Sequence, residues 1–139
     1  MAARVVGRPR EATVSKRVIH TSEAPEAVGP YSQAIVAGEF VFCSGQVPLD
    51  PASGELIEGS VAEQTRRCLR SLEAVLSAAG SSLDKVVKVT AFLTDMGDFV
   101  EFNQAYAEFF VGDAPARATV GVAALPKGAR VEVECVALK

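Results

Sequence analysis

Four side chains near the C-terminus have types and spacing suited to acid–base chemistry on an anionic ligand: Arg117, Thr119, Glu132 and Glu134. They fall in two strand-like runs, residues 116–122 and 130–136, which a turn centred on Pro126-Lys127-Gly128 would join as a hairpin. Alternate residues of a strand share a face, so Arg117 and Thr119 project together. Glu132 and Glu134 project together too, away from Val131, Val133 and Cys135. A guanidinium grips a carboxylate through two parallel hydrogen bonds, and a nearby glutamate can take a proton from water. The same residues could equally form a solvated cross-strand ion pair of little energetic weight. Residue types alone leave both readings open.

The chain offers few other reagents. His20 is the only histidine, and the three cysteines, Cys43, Cys68 and Cys135, are far apart in sequence. This excludes a credible zinc site and the usual serine–histidine or cysteine–histidine catalysis, and reads as three reduced thiols in a cytosolic protein. No metal or organic cofactor is expected, and proton transfer falls to Glu, Asp, Tyr or water. A net charge of −3 over 139 residues argues against a nucleic-acid partner, because phosphate backbones call for a basic surface. No apolar run approaches the roughly 18 residues of a membrane span.

The elements that must position these groups can be read in order. Residues 1–15 show no strand or helix period and carry Arg4, Arg8 and Arg10, so they read as a flexible tail ahead of a single domain over 16–139. Its basic, hydroxylated character leaves mitochondrial targeting open beside a cytoplasmic location. A short strand at 17–20 precedes a loop rich in proline and glycine that ends at Tyr31, after Pro30. Residues 32–44 read as a hairpin broken at Gly38-Glu39, followed by a turn over 48–54. Ser60 and Glu63 form a capping box for a helix whose apolar stripe runs from Val61 to Ala79, with Gly80 as its stop. A β-branched strand over 83–93 comes next. Asp98 and Glu101 suggest a second capping box, opening a helix through Phe110 with an aromatic core face.

The order β-β-β-α-β-α-β-β predicts an α+β fold: a mixed sheet with two helices packed on one face. Two helices cannot cover both faces, so the other is left for another subunit.

Several segments together resemble the Rid family (reactive intermediate deaminases, RidA/YjgF/UK114-like) over residues 17–139. They are Val28-Gly29-Pro30-Tyr31-Ser32-Gln33, the run Phe42 to Pro51 containing Ser44-Gly45, and Asp98-Phe99 with Asn103 and Tyr106. Pro115-Ala116-Arg117-Ala118-Thr119-Val120 and the run Leu125 to Glu134 complete the pattern. The resemblance implies a chorismate-mutase-like fold of the bacillus type, assembled as a homotrimer with clefts between subunits.

It further implies that Arg117 binds the carboxylate of a 2-imino acid, while Tyr31 and Asn103 line the same cleft from the neighbouring subunit. Ser44 and Gly45 would meet the other end of the ligand, and Glu132, rather than Glu134, would position the hydrolytic water. The implied reaction is hydrolytic deamination of 2-iminobutanoate or 2-iminopropanoate to the 2-oxo acid and ammonia, without a cofactor. Thr119 departs from the cysteine that many bacterial RidA members carry at that position. Imine hydrolysis needs no covalent thiol, so the departure bears on substrate fit and on water held near Thr119. Two other classes stand beside this reading: a single-strand endoribonuclease or translation inhibitor, and a non-catalytic ligand-binding trimer.

Overall fold

The computed structural model describes residues 15–139. The expected tail over 1–15 lies, apart from Ser15, outside the described residues. The element order is β1 (Lys16–Ile19), β2 (Ala34–Ala37), β3 (Phe40–Gln46), α1 (Val61–Ala78), β4 (Val86–Leu93), α2 (Phe99–Ala107), β5 (Ala116–Gly121) and β6 (Val131–Leu138). One six-stranded mixed sheet has the order β1-β2-β3-β6-β4-β5, with β4 and β5 parallel and the other neighbours antiparallel.

Local signals account for much of this. The two-residue connection Gly38-Glu39 closes the β2–β3 hairpin, with Gly38 at φ 58°, a conformation favourable for glycine. The Ser60 hydroxyl accepts from Glu63 N–H and the Glu63 carboxylate accepts from Ser60 N–H, completing the capping box of α1. Gly80 at φ 81° ends that helix, while Ser81 N–H returns to Leu76 O. The Thr65, Cys68, Leu69, Leu72, Val75 and Leu76 stripe of α1 is buried against the sheet.

Three expectations are corrected. Asp98 makes no side-chain cap on α2, and Glu101 instead accepts from Ala62 N–H in the first turn of α1, tying the two helices together. Helix α2 also stops at Ala107, short of Phe110, although Phe109 and Phe110 still pack on the core. The larger correction concerns the C-terminal hairpin: β5 and β6 are not paired. The crossover through α2 sets β5 parallel to β4 on its outer side, and β6 inserts between β3 and β4.

The physical reason lies in burial. Val131, Val133, Cys135 and Ala137 on alternate positions of β6 are all buried, which requires the middle of the sheet beneath the helices. β5, with no buried residue, takes the edge.

The opposite sheet face exposes Phe40, Phe42, Val120 and Leu138, each at least 40% accessible. The Phe40 and Phe42 rings lie 6.3 Å apart. No helix among the described residues is long and apolar enough to cross a membrane.

Candidate functional site

Register decides where the four C-terminal side chains point. Across β5, β4 and β6, Arg117 aligns with Val89 and Cys135, while Thr119 aligns with Ala91 and Val133. Val120 aligns with Phe92 and Glu132, and Ala118 with Thr90 and Glu134. Arg117 and Thr119 therefore belong to the helix-covered face, and Glu132 and Glu134 to the open one. The cross-strand Arg–Glu pair does not form. The predicted residues divide into two groups on opposite faces.

The first group lines a cavity of about 550 Å³ on the open face, walled by Tyr31, Ser44, Gly45, Lys127, Glu132 and Glu134 among others. Its floor is the β3–β6 junction, where the register slips between Cys43 and Gln46 and carries Ser44 and Gly45 out of regular pairing. The Ser44 hydroxyl donates to Ser32 O at 2.6 Å, so its proton is committed and its lone pairs remain available. Gly45 lacks the side chain that would displace Glu132: a Cβ there would overlap the Glu132 carboxylate, 2.9 Å from its carboxyl carbon. Glu132 is half-buried, and burial first, then the negative charge of Glu134, raises its pKa above the ordinary carboxylate value. A carboxylate so raised is a stronger base towards water than an ordinary glutamate.

Tyr31 stands 50% exposed at the rim, its hydroxyl accepting from Val28 N–H at 3.3 Å. Gln33, buried at 2% exposure, holds the loop behind it: its side chain accepts from Thr21 N–H at 2.7 Å and donates to Pro25 O at 2.8 Å. Lys127 is the one non-glycine among the described residues at positive φ, 60°, and its Nζ donates to Gly54 O at 2.8 Å across the cavity edge. Neither Gln33 nor Lys127 was among the expected site residues. The Pro126-Lys127-Gly128 turn was visible in the sequence, but its placement beside Glu132 depends on where β6 inserts.

The second group surrounds β5. The Arg117 guanidinium lies over three rings of α2, with its carbon 4.6 Å from the Tyr106 centroid, 5.5 Å from Phe102 and 5.8 Å from Phe99. The expected aromatic core face of α2 thus also holds the arginine. Asn103 is on the same helix, half-buried. The Thr119 and Tyr106 hydroxyls are buried without hydrogen-bond partners. Burial raises the Tyr106 pKa, with Arg117 opposing the shift, so the phenol stays protonated.

A mixed sheet with two helices on one face and an acid-bearing cleft on the other defines an α+β protein. Comparison places it more narrowly. The family model described as Endoribonuclease L-PSP matches residues 21–139. A 2-iminobutanoate/2-iminopropanoate deaminase of Mus musculus is 46% identical over 127 residues, covering 91% of this chain and 94% of that protein.

Two solved structures are close in fold. A protein of unknown function from the conserved Rid family of Yersinia pestis is 47% identical with a TM-score of 0.87, covering 90% of this chain and 100% of that one. The E. coli protein TdcF with bound serine is 40% identical with a TM-score of 0.85, covering 88% and 98% of the two chains. The chain belongs to the Rid family.

Proposed function

We propose that this protein hydrolyses 2-imino acids of the 2-iminobutanoate and 2-iminopropanoate class to 2-oxo acids and ammonia, in clefts shared between the chains of a homotrimer. The observation that carries the reading is the half-buried Glu132 carboxylate, raised in pKa and seated against Gly45 in an open cavity. The deaminase name of the mouse relative and the serine bound by the E. coli protein support a small amino-acid-like ligand.

One chain presents Glu132 and Arg117 on opposite sheet faces, so a cleft holding both takes them from different copies. The exposed apolar face around Phe40, Phe42 and Leu138 is suited to burial in such an assembly. This arrangement corresponds to the bacillus chorismate-mutase type of trimer.

In the proposed cleft Arg117, steadied by its aromatic box, holds the substrate carboxylate and aligns the imine carbon. Tyr31 and Asn103 flank the ligand, and the Ser44-Gly45 segment meets its far end. Protonation of the imine nitrogen makes the carbon electrophilic. Glu132 takes a proton from water as the water oxygen bonds to that carbon, and returns it to nitrogen; as the carbon–nitrogen bond breaks, the hydroxyl proton leaves the new carbonyl and replaces the one the imine took up. Water and imine are consumed; oxo acid and ammonia leave. Thr119, beside Arg117, occupies the position at which a thiol would otherwise sit and leaves the reaction without a covalent step.

A threonine dehydratase supplies the imine in situ, and its decay is followed with and without this protein. Acceleration over buffer is expected, abolished by Arg117→Ala. A correctly folded assembly that gives no acceleration would exclude the deaminase reading. RNA cleavage that survives Arg117→Ala would favour the ribonuclease class instead.

A further inference from the structure

Cys43 and Cys135 are distant in sequence, yet the pairing of β3 with β6 sets them directly opposite one another. Both are free thiols on the helix-covered face, at 7% and 4% exposure. Directly opposed residues of antiparallel strands have Cα atoms about 4.5–5.5 Å apart, a separation that a disulfide spans. The register slip begins immediately after Cys43, so the backbone on that side is not locked into regular pairing. Cys68 differs: it is fully buried on α1, and its Sγ donates to Val131 O at 3.7 Å.

We propose that Cys43 and Cys135 form an oxidation site, closing an intramolecular disulfide that clamps β3 to β6 when the protein meets a peroxide-class oxidant. One sulfur, as thiolate, attacks a peroxide oxygen; the O–O bond breaks, giving a sulfenic acid and one water. The second sulfur then displaces the hydroxyl as a second water while the S–S bond forms. Two thiols lose two electrons in total, and one peroxide is reduced to two waters. The neighbouring Cys43 and burial hold the Cys135 thiol far above the ordinary thiol range, so the reaction is slow at neutral pH and quickens as pH rises. The clamp falls beside the cleft floor, since Ser44 and Gly45 follow Cys43 and Glu134 precedes Cys135. It does not depend on the imine-hydrolase reading.

The test treats the full chain, natively folded, with hydrogen peroxide, quenches, and digests without reductant. The expected result is an intact mass lower by two hydrogens and a peptide joining Cys43 to Cys135. The thiol titre in denaturant should fall from three to one. Cys68→Ser should keep the bridge and Cys135→Ala should lose it. The proposal is overturned by a titre that stays at three, by oxygen adducts accumulating on separate cysteines, or by a bridge that uses Cys68 or a second chain. Because the wild-type peptide map carries the assignment, a variant that fails to fold leaves the outcome decided.

Discussion

The Glu132 carboxylate fills the space directly over Gly45 that a Cβ would need. Gly45 is not among the glycines with positive φ, so alanine suits its backbone, and its Cβ would meet the Glu132 side chain first. Gly45→Ala is therefore expected to displace Glu132 and lower imine turnover about 100-fold, a typical loss for a misplaced proton-transfer group. In a Glu132→Ala background the same substitution should cost almost nothing further. Additive losses in that double-mutant cycle would separate the two residues.

Glu132 is also expected to trade stability for chemistry. Burial and Glu134 hold its carboxyl above the unfolded value, so the folded chain binds this proton more tightly than the unfolded chain. The contribution to stability is complete below the unfolded carboxyl range and is lost as pH rises through the raised value. Glu132→Gln should melt above the wild type at neutral pH, with the two curves converging below pH ~4. The same variant should lose about 10²–10⁴ in kcat. A Gln variant that melts lower at neutral pH would contradict the assigned cause of the shift.

The proposed division of the site between chains predicts complementation. Arg117→Ala and Glu132→Ala proteins, respectively inactive and strongly impaired alone, should regain activity when unfolded together and refolded as mixed assemblies. Random mixing in a ring of three restores about a quarter of the clefts. Sedimentation of the mixture should give a trimer mass. Persistent inactivity of mixed trimers would overturn the shared-cleft arrangement.

Glu101 caps a helix other than its own. Its carboxylate accepts from Ala62 N–H at 3.0 Å, at the positive end of α1. Glu101→Ala should destabilise the fold by about 1 kcal/mol in denaturant titration, similar to loss of an N-cap. Glu101→Gln should recover part of that, retaining an acceptor without the charge.

Much of the fold was legible because its signals are local. The Ser60–Glu63 box, the α1 stripe and the Gly80 stop all lie within one helix, and Gly38-Glu39 joins strands that pair with each other. Partner choice among strands is not local. Adjacency in sequence suggested that β5 and β6 pair, whereas β4 separates them. A signal was present: β6 alternates four buried positions, while β5 places Arg117 and Thr119 on its inward face. The facing of Cys43 and Cys135, and the reach of Glu101 to Ala62, likewise arise only when distant segments meet.

Strand β6 supplies the core through its odd-numbered residues and the open face through its even-numbered ones, of which Glu132 and Glu134 line the cleft. Deleting one residue from its first half would exchange those roles in the remainder, turning apolar side chains outward and a glutamate under the helices. The strand should therefore accept many substitutions on its open face while rejecting any change in length. Insertions compatible with folding are expected instead in the turn around residues 50–54, where the chain is exposed and Asp50 already closes a turn on Ala52 and Ser53.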